Sequence, residues 1–226
     1  MDIIHIEAKY KKIIALPQEL ISKLPKSIIL FTIIQFLDSL PTIRKQLTDA
    51  GITAEFIQPR HTRHEGQLLG CSTNLQLKKD VLYIGTGLFH PKSLLLRNDV
   101  KVYTYNPISG EEGTYTKTIA ETIRKKVMGS YTKFLMSANI GVLITLKPGQ
   151  QKAYMTANLE KQYPDKKFYY FVDNTFNLQG LQDFPFIDMF LNTICERMGY
   201  DDMDVEGLSV LNLEDLWALH NNEFNA

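Results

Sequence analysis

The sequence contains only two cysteines, Cys71 and Cys195, among 226 residues. Its 25 basic and 25 acidic side chains balance, so the net charge indicates neither a nucleic-acid nor a membrane partner. No apolar run is long enough to span a bilayer, and the opening MDIIHIEAKYKK lacks the basic-then-apolar order of a secretory signal. We therefore expect a cytosolic protein, in which thiols stay reduced and serve as core residues or metal ligands rather than as a disulfide.

Several catalytic signatures are also missing. There is no P-loop, no Gly-x-Ser-x-Gly elbow and no His-Glu-x-x-His pair. The segment GTGLFHP (85–91) lacks the third glycine of a dinucleotide fingerprint, and we expect no helix after it. His61 and His64 have no partner at a spacing typical of zinc, so a solvated loop is the simpler interpretation. YDDMD (200–204) is likewise interpreted as a charged loop.

Strand-like and helix-like segments alternate along the chain. The predicted strands are residues 26–34, 52–58, a short run ending in GQLLGCS (66–72), 81–85, 100–107, 139–147, 166–174 and 186–195. The predicted helices lie within residues 35–51, beginning close to Ser39, and at 115–138 with a break near Gly129 and Ser130, 149–163 and 214–219. This alternation predicts an α/β fold of two similar domains, each with a mostly parallel sheet and flanking helices. We place the boundary in STNLQLKKD (72–80), giving domains 1–78 and 79–226 with one cysteine each.

Four loops follow predicted strands, and ligands of open α/β sheets bind at such carboxyl ends. They are the Gly70-Cys71 loop, GTGLFHP, KPGQQ (147–151) and CERMGYDD (195–202). If the strands are parallel, all four loops reach one edge, and the two cysteines can meet there. The alternative is that each cysteine is an inert buried thiol, and the residues alone leave both interpretations open.

In chain order, GQLLGCST, YIGTGLFHP, GVLITLKPGQ and NTICERMGYDD…LSVLNLEDL resemble the later two-thirds of diphthamide synthase. This is the 2-(3-amino-3-carboxypropyl)histidine synthase family of archaea and eukaryotes. TIIQFLDSLPTIRKQLTDAG resembles the opening of the family's second domain, so residues 1–78 correspond to that domain and 79–226 to the third. Cys71 and Cys195 match the second and third family cysteines, and the family's first domain, with its own cysteine, has no counterpart in these residues.

The resemblance implies an unconventional radical enzyme. In the family, three cysteines from three related domains hold a 4Fe-4S cluster whose open iron binds S-adenosylmethionine. Reductive cleavage yields a 3-amino-3-carboxypropyl radical, which alkylates a histidine of elongation factor 2. For this sequence the resemblance implies Cys71 and Cys195 as metal ligands and a cytoplasmic dimer. It implies a cofactor pocket formed by Gly85, Gly87, Phe89, His90, Gln150, Arg197 and Asp202, with Asp201 as the alternative to Asp202.

The sequence departs from the family pattern at three of these loops. Thr86 replaces the aspartate of Gly-Asp-Gly, LKPGQ replaces Leu-Gly-x-Gln, and CER replaces Cys-Pro-Arg. Two thiolates are also fewer than a four-iron cluster takes. Three interpretations follow. A separate chain supplies the missing domain and cysteine; a group such as His90 or Asp202 ligates iron; or the protein has no cluster and acts as a partner subunit of a complete homologue or as a different transferase.

Overall fold

The computed structural model describes residues 6–70, 72, 75–147, 150–201 and 208–221. It divides the chain into a first unit, Met1–Glu121, and a second unit, Thr122–Ala226. Each unit contains one mostly or wholly parallel sheet with helices beside it, which confirms the predicted fold class.

The first unit contains a five-stranded sheet in the order β2-β1-β3-β4-β5. Its strands are β1 (Ser27–Thr32), β2 (Thr53–Glu55), β3 (Val81–Ile84), β4 (Val102–Tyr105) and β5 (Glu112–Tyr115). The first four strands are parallel, and β5 returns antiparallel beside β4. The helices are α1 (Gln18–Lys23), α2 (Leu40–Asp49) and α3 (Phe89–Leu95), with 3₁₀ turns at Ile34–Ser39 and Lys117–Ala120. β1 lies inside the sheet, between β2 and β3, and its apolar run fits a strand that is covered on both faces.

The second unit contains a four-stranded parallel sheet in the order β7-β6-β8-β9. Its strands are β6 (Asn139–Thr145), β7 (Lys167–Asp173), β8 (Met189–Asn192) and β9 (Val210–Asn212). Its helices are α4 (Glu121–Met136), which begins at the unit boundary, α5 (Leu159–Gln162), α6 (Glu196–Asp201) and α7 (Leu213–His220), with 3₁₀ turns at Ala153–Thr156 and Gln179–Asp183. Among the described helices, none is long and apolar enough to cross a bilayer.

The predicted domain boundary at 78/79 does not coincide with the division of the structure. β3 pairs in parallel with β1 from Ile29–Val81 to Thr32–Ile84, so β3 and the strands beyond it complete the first sheet. The polar stretch 72–80 leads into β3 instead of linking two domains. Crossover connections between parallel strands run outside the sheet and are therefore as polar as linkers.

Several local predictions were also wrong. A helix, α3, does follow GTGL, and Pro91 is tolerated in its first turn because backbone N–H groups there have no intrahelical acceptor. The run that ends at Leu69 forms a single bridge, Thr32 to Gln67, rather than a strand. α4 continues through Gly129 and Ser130 without a break, and the region 150–163 forms a 3₁₀ turn and the short helix α5 instead of one long helix. The sequence prediction missed α1, α6, β5 and β9.

Candidate functional site

The predicted site residues fall into two groups, one at the carboxyl end of each sheet. In the first unit, the loop after β3 and the start of α3 carry Gly85, Gly87, Phe89 and His90. In the second unit, Gln150, Cys195 and Arg197 follow β6 and β8. Cys71 and Asp202 lie outside the described residues. The expectation of one shared sheet edge was wrong because the strands belong to two sheets; that the two cysteines meet stays a prediction.

The loop that leads to position 71 packs against Phe89. The Thr32 amide donates to the Gly66 carbonyl at 2.8 Å, and the Leu68 amide donates to the Thr32 carbonyl at 2.7 Å. These bonds fasten the loop to the end of β1. A Cβ built on Gly70 would lie 1.8 Å from Cε1 of Phe89, so only glycine allows this approach.

Replacing Gly70 by alanine should destabilise the protein by about 1–3 kcal/mol, because the added methyl group must displace the Phe89 ring. Gly129→Ala is the control, since no atom lies within 4 Å of its built Cβ inside α4. That variant should be neutral or more stable by up to about 1 kcal/mol. The urea concentrations at the midpoints of unfolding measure the stability of both variants. A G70A protein as stable as G129A would contradict the packing of Gly70 against Phe89.

His90 is held by a tyrosine that the sequence prediction missed. The Tyr83 hydroxyl lies 3.0 Å from His90 Nδ1, and the two rings stack with centroids 5.5 Å apart. Burial raises the pKa of Tyr83, so its hydroxyl stays protonated. The tautomer of His90 decides which of the two groups donates. A Cβ on Gly85 would lie 2.4 Å from the Tyr83 hydroxyl, so this glycine makes room for the pair. The sequence feature that could have identified this tyrosine is its position inside the buried run VLYI.

Cys195 is a half-buried free thiol between β8 and α6. The Asn192 side-chain amide donates to the Cys195 carbonyl at 2.8 Å, while its Oδ1 accepts from the Ile194 amide at 3.0 Å. The Met198 amide donates to the same Cys195 carbonyl at 2.9 Å. The backbone on both sides of the thiol is therefore fixed.

A buried polar network continues from Asn192 into the next strand. Asn192 and Asn212 are register partners at the ends of β8 and β9, and the Asn192 amide donates to Asn212 Oδ1 at 2.7 Å. The Asn212 amide donates to the Glu196 carbonyl at 3.0 Å and to Asp215 Oδ2 at 2.9 Å. The Tyr200 hydroxyl donates to Asp215 Oδ1 at 2.9 Å. Each asparagine amide thus uses both of its donors, which rigidifies the segment that carries Cys195.

Charged side chains cover this network. Lys152 Nζ lies 2.7 Å from Glu214 Oε1 and 3.4 Å from Glu196 Oε1. Burial alone would lower the pKa of Lys152, but the hydrogen bond and charge of Glu214, together with the charge of Glu196, outweigh it and raise the pKa. Lys152 therefore stays charged at neutral pH and screens both carboxylates.

The remaining predicted residues of the second unit differ in their placement. Arg197 is only 7% exposed, in the first turn of α6, so its guanidinium belongs to the packed interior. Gln150 is half-buried in a turn, where its backbone N–H donates to the Lys147 carbonyl at 3.1 Å. The prediction missed Asn192, Asn212 and Lys152. The sequence feature that could have identified the two asparagines is that each lies at the end of a buried apolar run.

A groove of about 650 Å³ lies elsewhere in the first unit, lined by α2, Phe56, His64 and neighbouring side chains. The Arg44 guanidinium lies over the Phe56 ring, 5.2 Å from its centroid. His64 Nε2 lies 2.9 Å from Glu7 Oε1, and this hydrogen bond holds the pKa of Glu7 below its usual range. None of the predicted site residues lines the groove.

The described residues do not complete a metal site. Within them, no group of three or more histidine, cysteine, aspartate and glutamate side chains could hold an ion. Cys195 supplies one thiolate, whereas a four-iron cluster takes three or four. A cluster would therefore need Cys71 and at least one ligand from beyond the part of the chain that the structure describes.

Comparison with known proteins gives consistent matches. A family model described as "Putative diphthamide synthesis protein" matches residues 2–206. The chain is 27% identical over 192 residues to the 2-(3-amino-3-carboxypropyl)histidine synthase of Pyrococcus horikoshii, covering 80% of this chain and 54% of that protein. It is 26% identical over 185 residues to subunit 1 of the Candida albicans synthase, covering 77% and 42%. The chain thus spans about half the length of these relatives.

Two solved structures have the same fold. Dph2 from Pyrococcus horikoshii gives a TM-score of 0.75 at 23% identity and covers 88% of this chain and 58% of its own. The structure of Dph2 with a 4Fe-4S cluster gives 0.74 at 22% identity, covering 89% and 59%.

Proposed function

This chain belongs to the diphthamide synthase family, and on that premise we propose that it takes part in transferring a 3-amino-3-carboxypropyl group from S-adenosylmethionine to a histidine of elongation factor 2. The family model spans nearly all of the chain, which confirms the family resemblance. The observation that carries the proposal is the half-buried Cys195 thiol, placed at the carboxyl end of β8 on a backbone fixed by buried asparagines.

In this proposal Cys71 and Cys195 are thiolate ligands of a 4Fe-4S cluster, completed by a ligand from another chain or segment. Soft thiolates favour iron–sulfur clusters, and the cluster in the Dph2 structure supports the assignment. When bound, the cluster would supply the electron that breaks the bond between the sulfur and the methionine γ-carbon of S-adenosylmethionine.

The chain's own residues would bind and orient that cofactor. The proposed pocket comprises Gly85, Gly87, Phe89, His90, Gln150, Arg197 and Asp202. Phe89 is 45% exposed at the start of α3 and offers an apolar ring, while Tyr83 fixes the orientation of His90 beside it. Arg197 would contribute chiefly by holding α6 in place, because it is buried.

Anaerobic purification followed by iron and sulfide assays tests this function. We expect brown protein containing iron and sulfide in equal amounts, with a broad absorption that bleaches in air. Addition of S-adenosylmethionine should perturb that absorption if the open iron binds it. Colourless protein that takes up no iron after reconstitution with iron and sulfide would contradict the proposal.

One alternative function follows from the number of cysteines. The sequence has two, whereas a four-iron cluster takes three or four thiolates, and in this alternative the chain serves as a cluster-less partner of a complete homologue. Some relatives are named as subunits, such as subunit 1 of the Candida albicans synthase. In this case colourless protein should bind a full-length synthase and raise its activity. For either role we propose a dimeric state and a cytoplasmic location, as the family resemblance implies.

A further inference from the structure

Lys152 lies where three connections of the second unit meet. It follows β6 through the loop that carries Gln150, whereas Glu196 is the first residue of α6 and Glu214 lies in the first turn of α7. The Lys152 ammonium lies 2.7 Å from Glu214 Oε1 and 3.4 Å from Glu196 Oε1. One cation thus joins the loop after β6 to the segments after β8 and β9, whose glutamates lie 44 and 62 residues further along the chain.

These two ion pairs are partly buried. The exposed fraction of the side chain is 23% for Lys152, 19% for Glu214 and 9% for Glu196. In the surface pair of Lys45 and Asp49, by contrast, the side chains are 77% and 62% exposed. Exposed pairs contribute little because water and salt screen them, and this screening weakens as charges leave the solvent. Removing Lys152 would also leave the largely buried Glu196 carboxylate without this cation, which costs more than the loss of a surface pair.

The loop after β6 makes no other long-range polar contact among its described residues, Lys147 and 150–155. Apart from those of the Lys152 side chain, its hydrogen bonds join residues at most three positions apart, as from the Met155 amide to the Lys152 carbonyl at 2.9 Å. Tyr154 is 71% exposed, so this large side chain adds little packing. The Lys152 ammonium is therefore the main polar attachment of the loop to the rest of the second unit.

Lys152 and Met155 also lie directly against the segment that carries Cys195. The space left between the loop and that segment is only about 10 Å³, which is hardly enough for one water molecule. A shift of either element would open this space or close it completely. The other residues that line it come from the ends of β8 and β9 and the starts of α6 and α7: Asn192, Thr193, Ile194, Glu196, Asn212, Leu213 and Glu214.

We propose that Lys152 is a positioning residue, which ties the loop that carries Gln150 to the segment that carries Cys195, so that the two elements become ordered together. That the tie links a cofactor-binding loop to a metal-ligand segment rests on the proposed function, whereas the tie itself does not. Because coupling between two sites is reciprocal, whatever orders one of these elements should also order the other.

Hydrogen exchange and alkylation of the chain without iron test the tie. K152M keeps most of the aliphatic stem and removes the charge, so the Met155 amide should exchange faster by about fivefold or more. Cys195 should react with iodoacetamide faster by a similar factor. K147M is the control, because Lys147 is exposed in the same loop and makes no ion pair within the described residues. K152R keeps the charge and should behave as the parent chain.

A second variant checks that the effect is local. E214Q keeps Lys152 and removes the charge of its nearer partner, so it should raise both rates as well. A K152M protein with the rates of K147M at both positions would overturn the proposal, and so would a K152R protein with the rates of K152M. Faster exchange throughout both K152M and E214Q, including β3 of the first unit, would show a general loss of stability and would also overturn it.

Cluster formation separates this inference from the proposed function. In the parent chain reconstituted with iron and sulfide, exchange of the Met155 amide should slow, although its loop holds no proposed metal ligand, and it should slow less in K152M. Iron-loaded proteins that show equal slowing would overturn the tie. A protein that takes up no iron would contradict the proposed function alone, and the rates measured on the iron-free chain would still decide whether Lys152 ties the two elements.

Discussion

Replacing either Cys71 or Cys195 by alanine should abolish iron binding, and both replacements should do so to about the same extent. A cluster site with so few protein thiolates leaves the metal open to solvent when one is lost. Iron and sulfide content after anaerobic reconstitution is the measurement. The control is Ile194→Val, which removes one methylene beside Cys195 and should leave the iron content unchanged.

A double-mutant cycle separates a shared metal site from two inert thiols. If Cys71 and Cys195 hold one cluster, each single variant should lose the stabilisation that metal supplies, and the double variant should lose little more. If they are unrelated core thiols, each change should cost only about 1 kcal/mol, and the costs should add with or without iron. Additive, metal-independent costs would contradict the shared site.

Replacing Asn212 by alanine should destabilise the protein by about 3 kcal/mol. The change removes the acceptor for Asn192 and the donors to Glu196 and Asp215, and each buried hydrogen bond contributes about 1 kcal/mol. Asn158→Ala is the control, because Asn158 is exposed and precedes α5 without a side-chain cap. It should change the free energy of unfolding by no more than about 0.5 kcal/mol.

The same variant should also loosen the segment that carries Cys195. The Glu196 carbonyl loses its donor from Asn212, and Asn192 loses part of its anchoring, so the thiol should react faster with an alkylating reagent in N212A than in the parent chain or N158A. Mass spectrometry of alkylated Cys195 measures this rate. An N212A protein with the stability and alkylation rate of N158A would show that the network does not support the loop.

Strands with strong apolar runs were predictable from the sequence. β1 and β6 are buried over nearly their whole length, and burial on both faces leaves a continuous hydrophobic signal. β5 was missed because Glu112–Tyr115 is short, polar and only partly buried, and its place depends on pairing with β4. The domain boundary was misplaced because a polar stretch does not reveal which sheet the next strand joins.

The candidate site was predictable only in part. The loops that carry Phe89, His90 and Cys195 follow strand ends, and the rule for α/β sheets identifies such positions. The partners of those residues depend on tertiary structure. Asn192 and Asn212 lie 20 residues apart and meet only because β8 and β9 are neighbours in register, which no local pattern specifies.

The order of the strands also has a consequence for synthesis on the ribosome. All five strands of the first sheet lie before residue 116, and all four of the second lie after residue 138. The first unit can therefore finish its sheet while the second is still being translated, without waiting for a strand from downstream. Parallel sheets form slowly and expose apolar edges while incomplete, so this sequential arrangement keeps the two sets of β-branched segments from mispairing in the nascent chain.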